Sequence, residues 1–525
     1  MADNTFDNLL EEGKKLYEQG LYKEAIKTYR TAMILTKNIN NVQAGSVNVL
    51  LANAYYCLNE LDKYKYYYEE YLKYFPEGQA SVFSRLAHAY YSFDSDKSVE
   101  YHNKALNLNV NEYNSASKLF AMIKSCYYDQ QDIKETSEFE VEQIRNHLYK
   151  NIKPYNHNDK KQNPNKKLNI AYLSSDCYTH TMMNYMIPIW ENHNKDEFNF
   201  FIFNGSSKQD VTTDTIKNIG FTVIDCANSS VKDIAKLIYD NKIDILIDLG
   251  GYTHLKSYIA FYKPAPIIIS YLGYLNTLGI KEVDYILADR FSIPEDKAYL
   301  YTEKPLYLDR GYQIFRKKTV PSISENPYKK NGYITFGSYN CTSKINDTTI
   351  FLWSEILKRS DNTKLLIYRT QMTKSIMHYI QEKFDKRGVP RDRIIYDSKP
   401  YNVHYLAYSE ADISIDTYPF GGMSILTETA MMGVPTITLL GDGIQSRAAG
   451  RVNTVIGLDD LNANSGEEYI NAAINLANNK QRLDTLRTEL RDRIFNSDIV
   501  NGHTEFTRDL ENKYKKVWHD FINSP

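Results

Sequence analysis

Over residues 168–439 the sequence runs one pattern through twice: short apolar segments, each long enough for a buried strand, alternating with stretches of helical periodicity. The first set is Leu168–Leu173, Phe198–Phe203, Ile243–Asp248 and Pro266–Ser270, with helical stretches such as Val231–Asn241 between them. The second is Tyr333–Phe336, Lys364–Tyr368, Arg393–Tyr396, Ile413–Asp416 and Thr436–Leu439. Strands that alternate with helices pair in parallel, because each helical crossover returns the chain to the end of the sheet where the last strand began. Two such sets in tandem predict two α/β lobes with a cleft between them, and ligands of such folds sit outside the carboxyl ends of the strands. The first strand already ends on a polar turn, Ser174-Ser175-Asp176.

The N-terminal part follows another period. From Phe6 to about Asn109 a helical pattern recurs about every 34 residues, the spacing of a helix-turn-helix solenoid. Leu9, Gly13 and Leu16, then Tyr22-Lys23-Glu24-Ala25, Tyr29 and Ala32, form the first unit, with small residues where two helices cross and aromatics where neighbours stack. It resembles a tetratricopeptide repeat. A second unit (Leu51, Ala52, Tyr55, Tyr68, Tyr71, Pro76) and a third (Leu86, Ala87, Tyr90, Ala105) match more loosely, with Tyr64 where a small residue is usual. Repeats need neighbours to bury a continuous core, so the stretch from Glu112 to about Lys150 is expected to add a fourth pair or a cap. The tyrosine stripe reads as packing, and the array as a surface that holds a protein or peptide acceptor. Residues from about Lys150 to Lys167, polar and punctuated by Pro154 and Pro164, read as a linker. The expected plan is an arm over 1–150, a linker over 151–167, lobes over 168–325 and 326–500, and a closing segment 501–525 with a helix from about Thr504 to Phe521.

A chain of 525 residues is too long for one core and should divide into about three. With 63 basic against 65 acidic residues, charge gives no reason to expect nucleic acid or an anionic membrane as partner. The start, Met1-Ala2-Asp3-Asn4-Thr5, lacks a basic and apolar signal pattern. No apolar run reaches the ~18 residues that span a bilayer, so the expected place is the cytoplasm, without membrane insertion. The five cysteines (Cys57, Cys126, Cys177, Cys226, Cys341) are widely spaced and never CxxC, which points to reduced, mostly buried thiols. Neither lobe has a metal-holding DxD; Asp94-Ser95-Asp96 lies in the arm and reads as a turn or helix cap.

Ordered blocks then carry a resemblance. Tyr271-Leu272-Gly273-Tyr274, Val283-Asp284-Tyr285-Ile286-Leu287-Ala288-Asp289, Tyr301-Thr302-Glu303-Lys304, Phe336-Gly337-Ser338-Tyr339-Asn340 with Lys344-Ile345, Asp416-Thr417, Met432-Gly433-Val434-Pro435 and Ser446-Arg447 stand in that order. They resemble the catalytic region of the O-GlcNAc transferase and SPINDLY family, from about Leu168 to the C-terminus. The repeat arm fits the same architecture, and Leu308–Gly332 joins the lobes directly, as in bacterial members. The resemblance implies a multidomain chain: an all-α tetratricopeptide-like solenoid followed by an α/β GT-B unit of two Rossmann-like lobes. It also implies inverting, metal-independent transfer of a sugar, GlcNAc from UDP-GlcNAc in the first place, onto Ser or Thr of proteins. No cofactor is implied, since the nucleotide-sugar is the substrate.

Without a metal, the charge growing on a departing diphosphate must be met by a cation or oriented amides. Lys344 matches the family's diphosphate-contacting lysine; outside that motif a loop lysine would read as a solvated charge. Phe420-Gly421-Gly422-Met423-Ser424 opens the helix-like stretch Ile425–Met432, where glycines admit close backbone approach and a helix start adds free N–H groups. Gly422, Met423, Ser424 and Ile425 are thus expected at the nucleotide-sugar. Ser424 and Ile425 replace two phosphate-contacting threonines of the family, so Ile425 has only its amide to offer. Glu428 takes the family's acidic ribose position, His404 a histidine position beside the nucleotide, and Cys341 and Gly273 positions around the pocket. His180 matches a histidine on the acceptor side and is the candidate general base, with a substrate phosphate or a water chain as alternatives.

Departures gather around the pocket: Leu275-Asn276 stands for Pro-Gly, Cys341 for Gln or Asn, and Tyr401 for a ribose-contacting lysine. UDP-glucose and GDP-fucose therefore remain alternative donors, and Asn or a glycan alternative acceptors. A scaffold with a degenerate catalytic unit is the reading from another class, against which the retention of Lys344, His180, His404 and Glu428 counts.

Overall fold

A computed structural model describes residues 2–35, 40–58, 60–91, 94–109, 121–162, 166–254 and 257–524. The chain divides into two compact units: residues 1–123 with Cys341–Ser343 and Arg369–Lys383, and the rest, Lys124–Asn340, Lys344–Tyr368 and Phe384–Pro525.

In the first unit three helix pairs follow one another: α1 (Ala2–Glu18) with α2 (Tyr22–Leu35), α3 (Asn41–Cys57) with α4 (Leu61–Tyr74), and α5 (Ala80–Tyr90) with α6 (Ser95–Leu108). Their shared core holds Phe6, Ala25, Tyr29, Leu51, Ala52, Tyr55, Tyr68, Tyr71, Leu86 and Tyr90, so the tyrosine stripe is packing. Gly13 is small because α2 crosses there: a Cβ would stand 2.3 Å from the Tyr29 ring. Tyr64, the misfit of the second repeat, is fully buried edge-on to Tyr68, with ring centres 5.2 Å apart. Asp94 caps α6 by accepting the Lys97 amide, which accounts for the arm's DxD.

The arm expected over 1–150 is shorter as a compact unit. Residues 110–120 lie outside the described residues, and the helix Gln130–Leu148 belongs to the second unit. There Gln130 Nε2 donates to Asn276 Oδ1 (2.7 Å), Thr302 Oγ1 donates to Glu138 (2.8 Å), and Arg145 pairs with Glu282 (2.6 Å). Helical periodicity alone could not say which core this helix joins.

The second unit carries two parallel sheets. The first has β1 (Leu168–Ser174), β2 (Phe198–Asn204), β3 (Thr222–Asp225), β4 (Ile245–Asp248), β5 (Ile267–Ser270), β6 (Tyr285–Ala288) and β7 (Lys304–Tyr307), in the order β3-β2-β1-β4-β5-β6-β7. The second has β8 (Ile334–Ser338), β9 (Thr363–Tyr368), β10 (Ile394–Asp397), β11 (Ile413–Ile415), β12 (Thr436–Leu439) and β13 (Asn462–Ala463), in the order β10-β9-β8-β11-β12-β13. The winding reverses between β1 and β4 and again between β8 and β11, and at such switch points the crevice outside the strand ends is open to a ligand. Strands β3, β6, β7 and β13 are not among the expected runs: β3 and β7 are four-residue edge strands with exposed positions, β6 is four residues set between Asp284 and Asp289, and β13 has only two residues.

The expected linker is a docked strap. Tyr155 stacks on Tyr239 with ring centres 4.1 Å apart, and the ammonium groups of Lys160 (3.1 Å) and Lys166 (2.6 Å) converge on Oδ1 of the buried Asp244. Its anchors are polar, so no apolar period betrays them; residues 163–165 lie outside the described residues. The last helix, His503–Ile522, returns to the first lobe: Tyr514 meets the Tyr172 hydroxyl at 3.0 Å, and Glu511 accepts from the Asn194 amide at 2.7 Å and lies 2.9 Å from His193 Nδ1. Cys126, Cys177 and Cys226 are buried, Cys57 and Cys341 exposed, and none of the five is in a disulfide among the described residues. Among the described residues no helix is long and apolar enough to cross a membrane.

Candidate active site

At the second switch point the loops that follow β8 and β11 meet. Strand β11 runs into Asp416, a carboxylate only 3% exposed. Its Oδ1 accepts the Thr417 amide (3.0 Å), the Gly422 amide (2.9 Å) and Asn340 Nδ2 (2.9 Å), and its Oδ2 accepts the Thr438 hydroxyl (2.8 Å). Burial pushes the Asp416 carboxyl above the usual carboxylate range, opposed by the Thr438 hydroxyl, the Lys344 charge and the Asn340 amide. Glycine is required at both following turns. A Cβ at Gly421 would stand 2.6 Å from Asp416 Oδ2, and one at Gly422 2.6 Å from Asn340 Oδ1.

The helix Met423–Met431 starts from this loop, and the amides of Met423, Ser424 and Ile425 fall in its first turn, where intrahelical geometry provides no acceptor. Lys344 ends a single 3-10 turn after β8 and places Nζ 2.8 Å from the Gly421 carbonyl oxygen and 3.6 Å from the Phe420 ring centre. A half-buried ammonium and a helix N-terminus thus share one loop, an arrangement that favours a bound anion.

One turn along the helix, Glu428 accepts from the Tyr408 hydroxyl (2.7 Å) and the Tyr405 hydroxyl (3.4 Å), and His404 Nε2 lies 3.3 Å from its Oε2. His404 is largely exposed and its ring lies 4.1 Å from that of Tyr405. The sequence-predicted group Lys344, Gly422, Met423, Ser424, Ile425, Glu428 and His404 is therefore brought to one strand-end region. Two assignments narrow. The Ile425 side chain packs against the Tyr339, Tyr405 and Tyr408 cluster, and Met423 Sδ accepts the Tyr312 hydroxyl at 3.0 Å, so both offer a ligand their amides. Ser424 Oγ is 2.6 Å from the Tyr185 hydroxyl, which gives a second tyrosine contact from outside the second lobe to the helix start.

His180 lies in the loop after β1, at the other switch point. Its Nδ1 accepts the Met182 amide (3.3 Å) and stands 3.7 Å from Asp176 Oδ2. Accepting the Met182 amide at Nδ1 fixes the orientation of the ring and leaves Nε2 as the nitrogen available to the acceptor side.

Gly273 stands in the loop after β5, in the first lobe. A Cβ at Gly273 would stand 2.0 Å from the Leu249 carbonyl oxygen, so close backbone packing demands this glycine. Gly273→Ala is expected to cost about 1–3 kcal/mol, seen as a lowered melting temperature with UDP affinity unchanged in calorimetry. Unchanged melting with lost affinity would return Gly273 to the pocket. Cys341 belongs to the first compact unit, where it is exposed and accepts from Arg369 Nη2 at 3.2 Å.

Asp416 and Asn340 carry no assigned role in the sequence reading although both stand inside quoted motifs. Their signal was the motif itself: a carboxylate at a strand end before a double glycine. Tyr185, Tyr312, Tyr405 and Tyr408 had no signal, because tyrosine is abundant throughout the chain.

Two wound sheets with a cation and a helix N-terminus at the second switch point define a GT-B fold of the glycosyltransferase class. The chain belongs to glycosyl transferase family 41, whose sequence profile matches residues 134–320 and 323–510. It is 28% identical over 365 residues to a protein of Hordeum vulgare described as a probable UDP-N-acetylglucosamine–peptide N-acetylglucosaminyltransferase SPINDLY, covering 67% of this chain and 38% of that one. It is 29% identical over 367 residues to a protein of Arabidopsis thaliana described as a probable transferase of the same kind, SEC, covering 67% of this chain and 37% of that one. The chain thus spans about two fifths of the length of the curated relatives it matches. In fold it matches a solved mutant of the O-GlcNAc transferase of Thermobaculum terrenum, with a TM-score of 0.86 at 21% identity over 99% of both chains.

Proposed function

We propose that this chain is an inverting, metal-independent glycosyltransferase that moves a sugar, most simply GlcNAc from UDP-GlcNAc, onto Ser or Thr side chains of polypeptides in the cytoplasm. The observation that carries the reading is the convergence of Lys344 Nζ and the start of the helix Met423–Met431 on the Phe420–Gly422 loop. As the acceptor oxygen bonds to the anomeric carbon it gives up its proton to a phosphate oxygen of the donor, and the bond to the diphosphate breaks on the opposite face so that its charge falls on the departing oxygens. A lysine and oriented amides meet that charge without a metal ion. Glu428 offers acceptor oxygens for the two ribose hydroxyls, which must share or displace the tyrosine hydroxyls now bonded there. His180 supports the acceptor side through Nε2. The relatives' descriptions support a UDP-sugar donor and a peptide acceptor, and a solenoid arm supports the latter by offering an extended surface.

The test is calorimetry with UDP and GDP in excess EDTA, followed by labelling of candidate polypeptides from radiolabelled UDP-sugars. UDP is expected to bind in chelator and GDP at least about tenfold more weakly, a difference of ~1.4 kcal/mol. Binding that requires magnesium, or a preference for GDP, would contradict the proposal.

A further inference from the structure

A lysine ammonium beside a helix N-terminus is in an awkward place when no anion is bound, because the helix end carries about half a positive charge of its own. A neighbouring carboxylate would hold the cation there but would also repel an incoming diphosphate. The face of an aromatic ring attracts a cation through its quadrupole and brings no net charge. That is what stands beneath Lys344, whose Nζ lies 3.6 Å from the centre of the Phe420 ring while bonded to the Gly421 carbonyl oxygen at 2.8 Å. The ring is held by its own backbone: the Phe420 carbonyl accepts the Thr417 hydroxyl (2.7 Å), and the next amide, Gly421, donates to the Gln445 carbonyl (3.0 Å). The nearby carboxylate, Asp416, feels the Lys344 charge, but it is buried and its hydrogen bonds come from the four donors described above, none of them Lys344.

We propose that Phe420 is a positioning residue for Lys344, a neutral ring face that keeps the ammonium aimed at the diphosphate position without repelling the donor. This rests on the reading of the loop as a diphosphate site. Phe420 has no part in the chemistry itself and acts through the lysine.

The experiment is a double-mutant cycle on the full chain, read both as single-turnover transfer and as UDP affinity in calorimetry, with melting of each sample. Phe420→Leu, which keeps apolar bulk but has no ring face, is expected to lower transfer by about 3-fold to 30-fold, and Phe420→Tyr to recover most of that loss. In the Lys344→Met background Phe420→Leu should cost nothing further, since the cation it serves is gone. Coupling in UDP affinity alone, with no transfer by the unmodified protein, would discard the proposed reaction and still support the pair. A Leu variant near wild type, a Tyr variant as impaired as the Leu one, full additivity in the double variant, or a loss explained by lowered melting would each overturn the role.

Discussion

Lys344→Met is expected to lower sugar transfer by about 10²–10³, the usual loss when one preorganised contact to a developing charge is removed. Methionine keeps much of the aliphatic stem and removes the ammonium that now binds the Gly421 carbonyl and lies over Phe420. The folded state should change little, by no more than about 1.5 kcal/mol, because the loss of one hydrogen bond is partly offset by relief of repulsion from the helix start. Single-turnover labelling and thermal melting of the same sample separate the two effects. A folded variant with near wild-type turnover would remove Lys344 from the reaction, and a large melting shift with proportionate loss would make it a structural cation.

Asp416→Ala is expected to destabilise the second lobe by about 3–5 kcal/mol. It would leave two backbone amides, the Asn340 amide and the Thr438 hydroxyl without an acceptor in a site that is 3% exposed. Each stranded buried donor costs ~1–3 kcal/mol, though such costs do not simply add. Asp416→Asn should cost far less, since its carbonyl oxygen can keep the Oδ1 bonds and the Thr438 hydroxyl can turn to accept. The comparison is melting temperature of the two variants with UDP titration of whichever stays folded. Equal melting of Ala and wild type would mean that the carboxylate does not hold the glycine loop.

The two lobes were legible because their strands are buried on both faces and so leave continuous apolar runs, as at Ile245–Ile247 and Ile267–Ile269, whose every residue is buried. Gly13 could be read as a crossing point and Gly421-Gly422 as a close turn, since only glycine fits where another segment of the protein crowds Cα. Lys344 and the helix after Gly422 could be paired from motif order, as both follow strand ends.

The rest depended on which strand ends become neighbours. The reversal of winding between β8 and β11 brings Asn340, Lys344, Asp416 and Gly422 together, and nothing local to any of them encodes that meeting. The same holds for Tyr185 and Tyr312, which reach Ser424 and Met423 from positions over 100 residues away in the chain. The packing that demands Gly273, and the docking of the helix Gln130–Leu148 and of the strap with Lys160 and Lys166 on the lobes, depend on tertiary partners for the same reason. Backbone periodicity is written in adjacent residues and can be read from them, whereas a buried polar bond is decided by the partner that folding brings to it.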